Sequence, residues 1–419
     1  MQIDTVVVFG DSLSDIGKKW VTKSGRMARA TGQMSVSPSG RFSDCRNWTD
    51  FMFEEATQRT MIANTAQTTI ELSNRHTTLS NKSMLNAQSL GLNNGQGFNN
   101  FQYANYAEGG ACGDTPVRLG NFLGTFDDQI KAFKTDCNSN NITLGNTLFI
   151  VWFGANDLYT ADRDPAGMAT AADKVANIQR NVLRDFVALK NGRSKFIFIN
   201  LARPLSSVRY ALRLKQAEQK LLNAAMPKDV IEMVVNPQRF KGGIWHAQAA
   251  MQTALDQKSS NQQLKEFIEL KKAVAEIKSL ELGVINYNLA LALHTRRNGD
   301  GLVEIGSCLS EETIRQLVKG NYRLKEGAAT ADAAHVSSAS YTASNAIAHL
   351  ATIDQAHPTD QVYKLIWLEV YEEIKKSNCT FGNISDQLAT PTLSTLSGPS
   401  SQTRANFNSV MQELRNSFV

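Results

Sequence analysis

The sequence predicts an α/β protein: a three-layer α/β/α sandwich in which helices cover both faces of a mostly parallel sheet. Short, almost continuously apolar segments indicate strands that are buried on both faces. Segments with helical periodicity separate them, as in βαβ units. The strands are predicted at residues 5–9, 148–153, 196–201 and 282–288.

Two insertions and a tail depart from this pattern. Residues 58–100 are rich in Asn, Ser, Thr and Gln, which form little core, so we expect a surface excursion there. Residues 206–258 have helical periodicity and form either a lid over an apolar groove or a helical pair packed on the sheet edge. We therefore assign residues 1–378 to one domain, and the polar residues 379–419 to a C-terminal tail.

Composition limits the classes of function. The chain has 419 residues, of which 42% are hydrophobic, and this is enough for a sizeable core. The net charge of +5 is mild, and no basic run is dense enough to indicate nucleic-acid binding. The five cysteines lack the spacing of a metal site, so we expect reduced thiols, no metal and no cofactor.

The sequence contains no segment that we recognise as a membrane helix or a signal peptide. No apolar run approaches the ~20 residues of a membrane helix, and a first strand that begins near residue 3 leaves no room for a signal peptide. We expect a cytoplasmic protein, or one secreted by a leaderless route. Transient contact with an anionic membrane surface stays open.

Residues 9–15 (Phe-Gly-Asp-Ser-Leu-Ser-Asp) follow the first predicted strand directly. In an open parallel sheet, reactive groups collect beyond the carboxyl ends of the strands, and Gly10 lets other backbone approach the Ser12 hydroxyl. Taken alone, this segment also fits a strand-to-helix turn in which Ser12 or Asp15 caps the next helix. Ser12 is the candidate nucleophile.

A serine hydroxyl becomes a good nucleophile when a histidine, oriented by a carboxylate, removes its proton. His357 and Asp354 have suitable spacing, and His335 with Asp332 repeats it upstream. We prefer His357 because Pro358 suits a helix start and a helical apolar pattern follows. Four other histidines lack a carboxylate at this spacing and are predicted to be ordinary surface or core residues: His76, His246, His294 and His349.

Attack on a carbonyl group places negative charge on its oxygen, which requires preorganised hydrogen-bond donors. The candidate donors are the backbone N–H groups of Ser12 and Gly110 and the side-chain amide of Asn156. Each has a simpler interpretation, since paired glycines mark turns and Asn156 could cap a helix after its strand.

Four segments occur in the order found in the GDSL, or SGNH, hydrolase family, and the chain resembles that family over about residues 1–205 and 259–375. They are residues 9–15, 105–110 (Asn-Tyr-Ala-Glu-Gly-Gly), 154–157 (Gly-Ala-Asn-Asp) and 354–359 (Asp-Gln-Ala-His-Pro-Thr). The family's blocks supply serine, glycine, asparagine and histidine, and the offset of Gly110 from Asn105 matches the oxyanion glycine. A further stretch, residues 40–44 with Trp48 and Phe51, is similar to the Gly-Arg-Phe-Ser segment of the lipase-like branch.

The resemblance implies a serine esterase that acts through an acyl-enzyme on a flavodoxin-like sheet. The Gly-x-Ser-x-Gly elbow of α/β-hydrolases is absent from the sequence. The sequences of these segments are most similar to the bacterial lipase, phospholipase and glycerophospholipid:cholesterol acyltransferase branch, some members of which enter host cells. The resemblance therefore adds a host cell as one destination and leaves a host activator open as a partner. The substrate would then be a lipid or another ester. The alternatives are a carbohydrate or small-ester O-deacetylase on the same fold, and a catalytically silent binding module.

Overall fold

The structure is a computed structural model that describes most of the chain between residues 1 and 381. The described ranges are 1–30, 40–43, 46–57, 59–60, 77–78, 102–118, 123–236, 249, 252–253, 261–305, 356–358 and 360–381. Most of the predicted excursion at 58–100 and most of the predicted tail therefore lie outside the described residues.

The central sheet has five strands, all parallel, in the order β5-β2-β6-β7-β8. Two short parallel pairs lie apart from it, β1 with β9 and β3 with β4. In chain order the strands are β1 (Gln2–Ile3), β2 (Thr5–Gly10), β3 (Arg59–Thr60), β4 (Thr77–Thr78), β5 (Gln102–Asn105), β6 (Thr147–Trp152), β7 (Ser194–Ile199), β8 (Gly301–Val303) and β9 (Thr380–Phe381).

Helices connect these strands and cover the sheet. They are α1 (Lys18–Val21), α2 (Lys23–Ala30), α3 (Trp48–Thr57), α4 (Phe126–Ser139), α5 (Ala155–Tyr159), α6 (Met168–Asp173), α7 (Arg180–Leu189), α8 (Val208–Asn223), α9 (Lys228–Val235), α10 (Asn261–Asn298) and α11 (Asp360–Lys376). A π-helical segment joins α6 to α7, and a short 3₁₀ helix precedes α8. Within the described parts of the chain, no helix has the length and apolar character needed to cross a membrane.

Both faces of the sheet are buried, as β2 shows. Val6 packs into one core with Trp48 of α3 and Trp367 of α11. Its neighbour Val7 points to the opposite face and packs into a second core with Phe133 of α4. Successive residues of a strand point to opposite faces, so a strand enclosed by two helix layers must be apolar throughout. The predicted three-layer α/β/α sandwich is confirmed.

Three of the four predicted strands are observed, as β2, β6 and β7. The strand predicted at 282–288 is wrong, because these residues lie inside α10. Val284, Tyr287 and Leu291 of α10 face the core, whereas Leu282 and Leu289 are exposed, which is a helical pattern. A short apolar run cannot distinguish a strand from a buried helical turn by periodicity alone.

The first part of the 206–258 insertion is helical, as predicted. Helices α8 and α9 pack against the amino-terminal half of α10 and form a third, smaller core around Leu221, Val230 and Phe267. Residues 237–248 lie outside the described residues. The described part of the insertion is therefore a packed helical pair.

Candidate active site

The predicted site residues follow neighbouring strands of the sheet. Ser12 lies just beyond β2, Gly110 follows β5, and Asn156 lies at the start of α5 after β6. Because β2 lies between β5 and β6, the carboxyl ends of these three parallel strands meet at one edge. This is the edge at which ligands bind in open α/β sheets.

The structure brings the predicted nucleophile and base together. The Nε2 atom of His357 lies 2.8 Å from Oγ of Ser12, within hydrogen-bond distance. A neutral imidazole with its proton on Nδ1 accepts the serine hydrogen in this arrangement. The Ser12 side chain is nearly buried, and His357 is partly exposed just before α11. Asp354, predicted to orient the imidazole, and the alternative base His335 lie outside the described residues.

A buried glutamine holds the turn that carries Ser12. Gln129 of α4 accepts a hydrogen bond from the Gly10 N–H at 3.0 Å and donates one to the Gly10 carbonyl at 2.7 Å. One Asp11 carboxylate oxygen accepts the Leu13 N–H at 3.0 Å, which closes the turn. Sequence reasoning missed Gln129, because nothing in its local pattern marks it as a partner of Gly10.

The Asp15 carboxylate connects this turn to the predicted oxyanion loop. It accepts hydrogen bonds from the N–H groups of Gly17 at 2.8 Å, Lys18 at 2.6 Å and Lys19 at 3.0 Å. It also accepts the Gly109 N–H at 2.8 Å. Burial raises the pKa of this carboxyl, and the N–H groups oppose that rise by stabilising its charged form. Asp15 therefore fixes the loop from the β2 side.

The loop itself requires glycine. Gly110 has a φ of +85°, in the left-handed region that L side chains rarely adopt. A Cβ on Gly109 would lie 2.5 Å from the Phe42 ring, so that position has no room for a side chain. Among the described residues, the N–H groups of Ser12 and Gly110 form no hydrogen bond. Both remain available to a negatively charged oxygen.

Two residues at the start of α5 hold the same loop from the β6 side. The Asn156 amide nitrogen donates to the Ala111 carbonyl at 3.1 Å, which places the predicted third donor against the loop. The buried Asp157 carboxylate accepts the N–H groups of Gly113 at 2.7 Å and Asp114 at 3.0 Å. Burial raises the pKa of Asp157. Asp15 and Asp157 thus clamp the Gly110 loop from opposite sides.

A buried ion pair fixes the segment at 40–43. The Arg41 guanidinium donates to both oxygens of Asp50, at 3.0 Å and 2.6 Å, and both side chains are fully enclosed. Tyr363 of α11 donates to the Phe42 carbonyl at 3.1 Å. The Phe42 ring then lies 5.0 Å, centre to centre, from the His357 ring. This segment therefore packs beside the candidate base.

Comparison with known proteins agrees with this arrangement. A family model described as GDSL-like Lipase/Acylhydrolase matches residues 6–370. The chain belongs to the GDSL-like lipase/acylhydrolase family. Membership implies an ester hydrolase of the esterase or lipase type, and it confirms the family resemblance predicted from the motifs. No curated protein matches the chain.

Other candidate groups of this GDSL-like hydrolase do not join the site. His294 contacts Asp173 at 3.1 Å on the outer helices. The cysteines at 112, 137 and 379 are free and buried, and burial raises the pKa of the Cys112 thiol. That thiol is protonated at neutral pH and is a poor nucleophile. Among the described residues, no cluster of His, Cys, Asp or Glu could hold a metal ion.

Proposed function

We propose that this GDSL-like hydrolase is a serine esterase that cleaves a carboxylic ester through an acyl-enzyme on Ser12. The observation that carries the proposal is the 2.8 Å contact between Ser12 Oγ and His357 Nε2 at the carboxyl edge of the sheet. A nucleophile in hydrogen-bond contact with its base is the recurring signature of covalent acyl transfer. Family membership supplies the ester as the type of bond that is cleaved.

In the first step, Ser12 Oγ attacks the ester carbonyl carbon while His357 Nε2 takes the hydroxyl proton. The carbonyl oxygen becomes an oxyanion and accepts hydrogen bonds from the N–H groups of Ser12 and Gly110 and the amide of Asn156. These donors are held in place before the reaction, so they stabilise the developing charge without reorganising. Asp354 is proposed to hold the other ring nitrogen of His357 and to stabilise the imidazolium.

In the second step, the tetrahedral intermediate collapses. The bond between the carbonyl carbon and the leaving oxygen breaks, and His357 gives its proton to that oxygen, which releases an alcohol. Water then attacks the acyl carbon while His357 takes a proton from the water. The bond between that carbon and Ser12 Oγ breaks, His357 returns the proton to Oγ, and the carboxylic acid departs. If an alcohol replaces water, the same steps transfer the acyl group.

We further propose that the substrate is a lipid ester, as for a lipase, a phospholipase or a lipid acyltransferase. Support comes from apolar side chains beside the reacting groups. The Phe42 ring contacts the ring of His357, and Leu123 lies next to Gly110. Each buried CH₂ of an acyl chain contributes about 0.8 kcal/mol of binding. A small ester such as an acetate has too few CH₂ groups to gain much binding free energy from contact with Phe42 and Leu123.

Covalent labelling tests the nucleophile and the base. A fluorophosphonate probe should label the wild type and fail to label Ser12→Ala at unchanged circular dichroism. His357→Ala should lower kcat by several orders of magnitude, as removal of the base does in other triads. The matched variants His294→Ala and His335→Ala should retain activity. Equal labelling of wild type and Ser12→Ala would remove Ser12 from the mechanism.

Product analysis tests the lipid substrate. The protein is incubated with para-nitrophenyl esters of graded chain length, and with mixed phospholipids plus cholesterol, and products are identified by mass spectrometry. Increasing kcat/KM with chain length, with release of fatty acid or formation of cholesteryl ester, supports the proposal. Cleavage of acetyl esters alone would indicate the deacetylase.

A further inference from the structure

Three charged side chains lie beside the oxyanion loop and take no part in the steps above. The Lys19 Nζ atom is 3.2 Å from one carboxylate oxygen of Glu108. The Lys18 Nζ atom is 3.7 Å from the other oxygen of Glu108 and 3.3 Å from the Tyr106 carbonyl oxygen. A Cβ placed on Gly110 would lie 4.0 Å from the Lys19 ammonium. The charged cluster of Lys18, Lys19 and Glu108 therefore adjoins the predicted oxyanion hole.

The cluster has an unbalanced charge. Its side chains are 20%, 9% and 18% exposed for Lys18, Lys19 and Glu108, so all three are largely withdrawn from water. Two ammonium groups share one carboxylate, which leaves a net charge of +1. The neighbouring Asp15 carboxylate is already enclosed by four backbone N–H groups. Both lysines belong to α1 and contact Glu108 of the loop, so the junction carries one more positive charge than negative.

The space beside Gly110 is also bordered by an apolar side chain. The Leu123 side chain lies 3.4 Å from the same Cβ position on Gly110. A substrate group at this place meets an ammonium on one side and a hydrocarbon surface on the other. An amphiphilic ester fits such a border, with its acyl chain against Leu123 and an anionic group toward Lys19.

We propose that Lys18, Lys19 and Glu108 form a charge-selecting subsite for esters that carry one negative charge close to the reacting carbonyl, as the phosphodiester of a glycerophospholipid does. The inference rests on the proposed esterase function and adds a head-group preference to it. Lysine ammonium groups bind phosphate oxygens as compact point charges. Glu108 holds both lysines in place and reduces the net charge of the cluster to +1. This charge balances that of a substrate with one negative charge.

A matched pair of lipids tests the subsite. Phosphatidylglycerol and diacylglycerol with identical acyl chains are presented in the same neutral detergent micelles, and the ratio of their kcat/KM values is measured for the full chain. Lys19→Gln should lower the anionic-to-neutral ratio by about tenfold, equivalent to about 1.4 kcal/mol. Glu108→Gln should raise the ratio, because it removes the only negative charge of the cluster.

Opposite shifts of the ratio separate this role from a structural one. If Lys19 and Glu108 only fasten α1 to the loop, both variants lose activity equally on both lipids, and the unchanged ratio overturns the inference. Lys174→Gln breaks a comparable pair, Lys174 with Asp127 at 3.2 Å, away from the site and should leave the ratio unchanged. A wild type that cleaves neither lipid would instead overturn the proposed lipid esterase.

Salt dependence gives a measurement that needs no variant. Rising ionic strength screens the attraction between a partly exposed ammonium and a phosphodiester. The wild-type kcat/KM for phosphatidylglycerol should therefore fall with added salt, while that for diacylglycerol changes less. Should Lys19→Gln fail to fold, the more exposed Lys18→Gln replaces it. Equal salt dependence for both lipids would contradict a charge-selecting subsite.

Discussion

At the scale of single residues, Asn156 has two hydrogen bonds that suit an oxyanion donor. Its amide nitrogen donates to Ala111, and its amide oxygen accepts from Thr160 at 2.9 Å, so the side-chain orientation is fixed. Among the described residues the second N–H of the amide has no partner, so it is available to the proposed oxyanion. Asn156→Ala should lower kcat by about 10²–10³ with little change in KM, because charge on the oxygen exists only in the transition state.

The control for this prediction is Thr160→Val. It removes the bond to the Asn156 oxygen but keeps the amide nitrogen, so we expect a loss in kcat of less than about tenfold, a single lost hydrogen bond. Steady-state kinetics on one para-nitrophenyl ester measures both variants. An increase in KM at constant kcat for Asn156→Ala would assign Asn156 to substrate binding instead.

Ser12 and Asn156 could be predicted from a strand end, because each comes shortly after a long apolar strand. Gly110 was predicted from its offset from Asn105 in the family motif. Adjacent parallel strands bring all three residues to one edge of the sheet. The contacts that support them join distant segments: Gly10 and Gln129 are 119 residues apart, and Asp15 and Gly109 are 94 apart. Such hydrogen bonds leave no periodic trace in the local sequence, so they could not be predicted.

At the scale of elements, the small core between α8, α9 and α10 differs from the two sheet cores. Leu221 is fully buried there. Leu221→Ala should destabilise this core by about 2–5 kcal/mol, the usual cost of a Leu→Ala cavity. Because this core is separate from those on the sheet, amide protection should fall first in α8 and α9. Hydrogen exchange measured by mass spectrometry tests this.

The same substitution at an exposed leucine is the matched control. Leu189 is 83% exposed at the end of α7, so Leu189→Ala should change stability by less than about 0.5 kcal/mol. Equal loss of protection in β2 and in α8 for Leu221→Ala would show that the insertion and the sheet unfold together. The ring contact between Tyr210 of α8 and Tyr159 of α5 would be one route for that coupling.

The sequence predicted long apolar strands better than short or polar ones. Strands β2, β6 and β7 have six residues each, and their apolar runs are distinct. Strand β5 has four residues, Gln-Tyr-Ala-Asn, and β8 has three, so neither contains enough alternation to indicate a strand. Pairing with the sheet, a long-range interaction, is what makes these segments extended.

At the scale of the whole molecule, three buried carboxyls lie near the carboxyl edge of the sheet, where the candidate active site is. They belong to Asp11, Asp15 and Asp157, and burial raises the pKa of each. For Asp15 and Asp157, hydrogen bonds from backbone N–H groups offset part of the cost of burying the carboxylate. The burial of the Asp11 carboxyl is offset less, because its second oxygen has no hydrogen-bond partner among the described residues. Three buried carboxyls thus lie beside the proposed active site, and departures from the usual rules of stability are common at functional sites.

Asp11 links this arrangement to the stability of the entire fold. Burial raises its pKa from 3.8 to about 7, so the folded protein holds a proton that the unfolded chain has already lost. Stability from this group is fully present below pH 3.8 and is lost as pH rises to about 7. The loss amounts to at most about 4 kcal/mol at 1.36 kcal/mol for each pKa unit.

Asp11→Asn removes this titration while it keeps the oxygen that accepts the Leu13 N–H. The variant should therefore gain stability relative to wild type as pH rises from about 5 to 7, because only the wild type must take up a proton on folding in that range. Urea unfolding at several pH values, followed by circular dichroism, measures the difference. The exposed Asp185→Asn is the control for an Asp→Asn change away from the site. Parallel stability curves for Asp11→Asn and wild type would show that the Asp11 carboxyl does not titrate in this range.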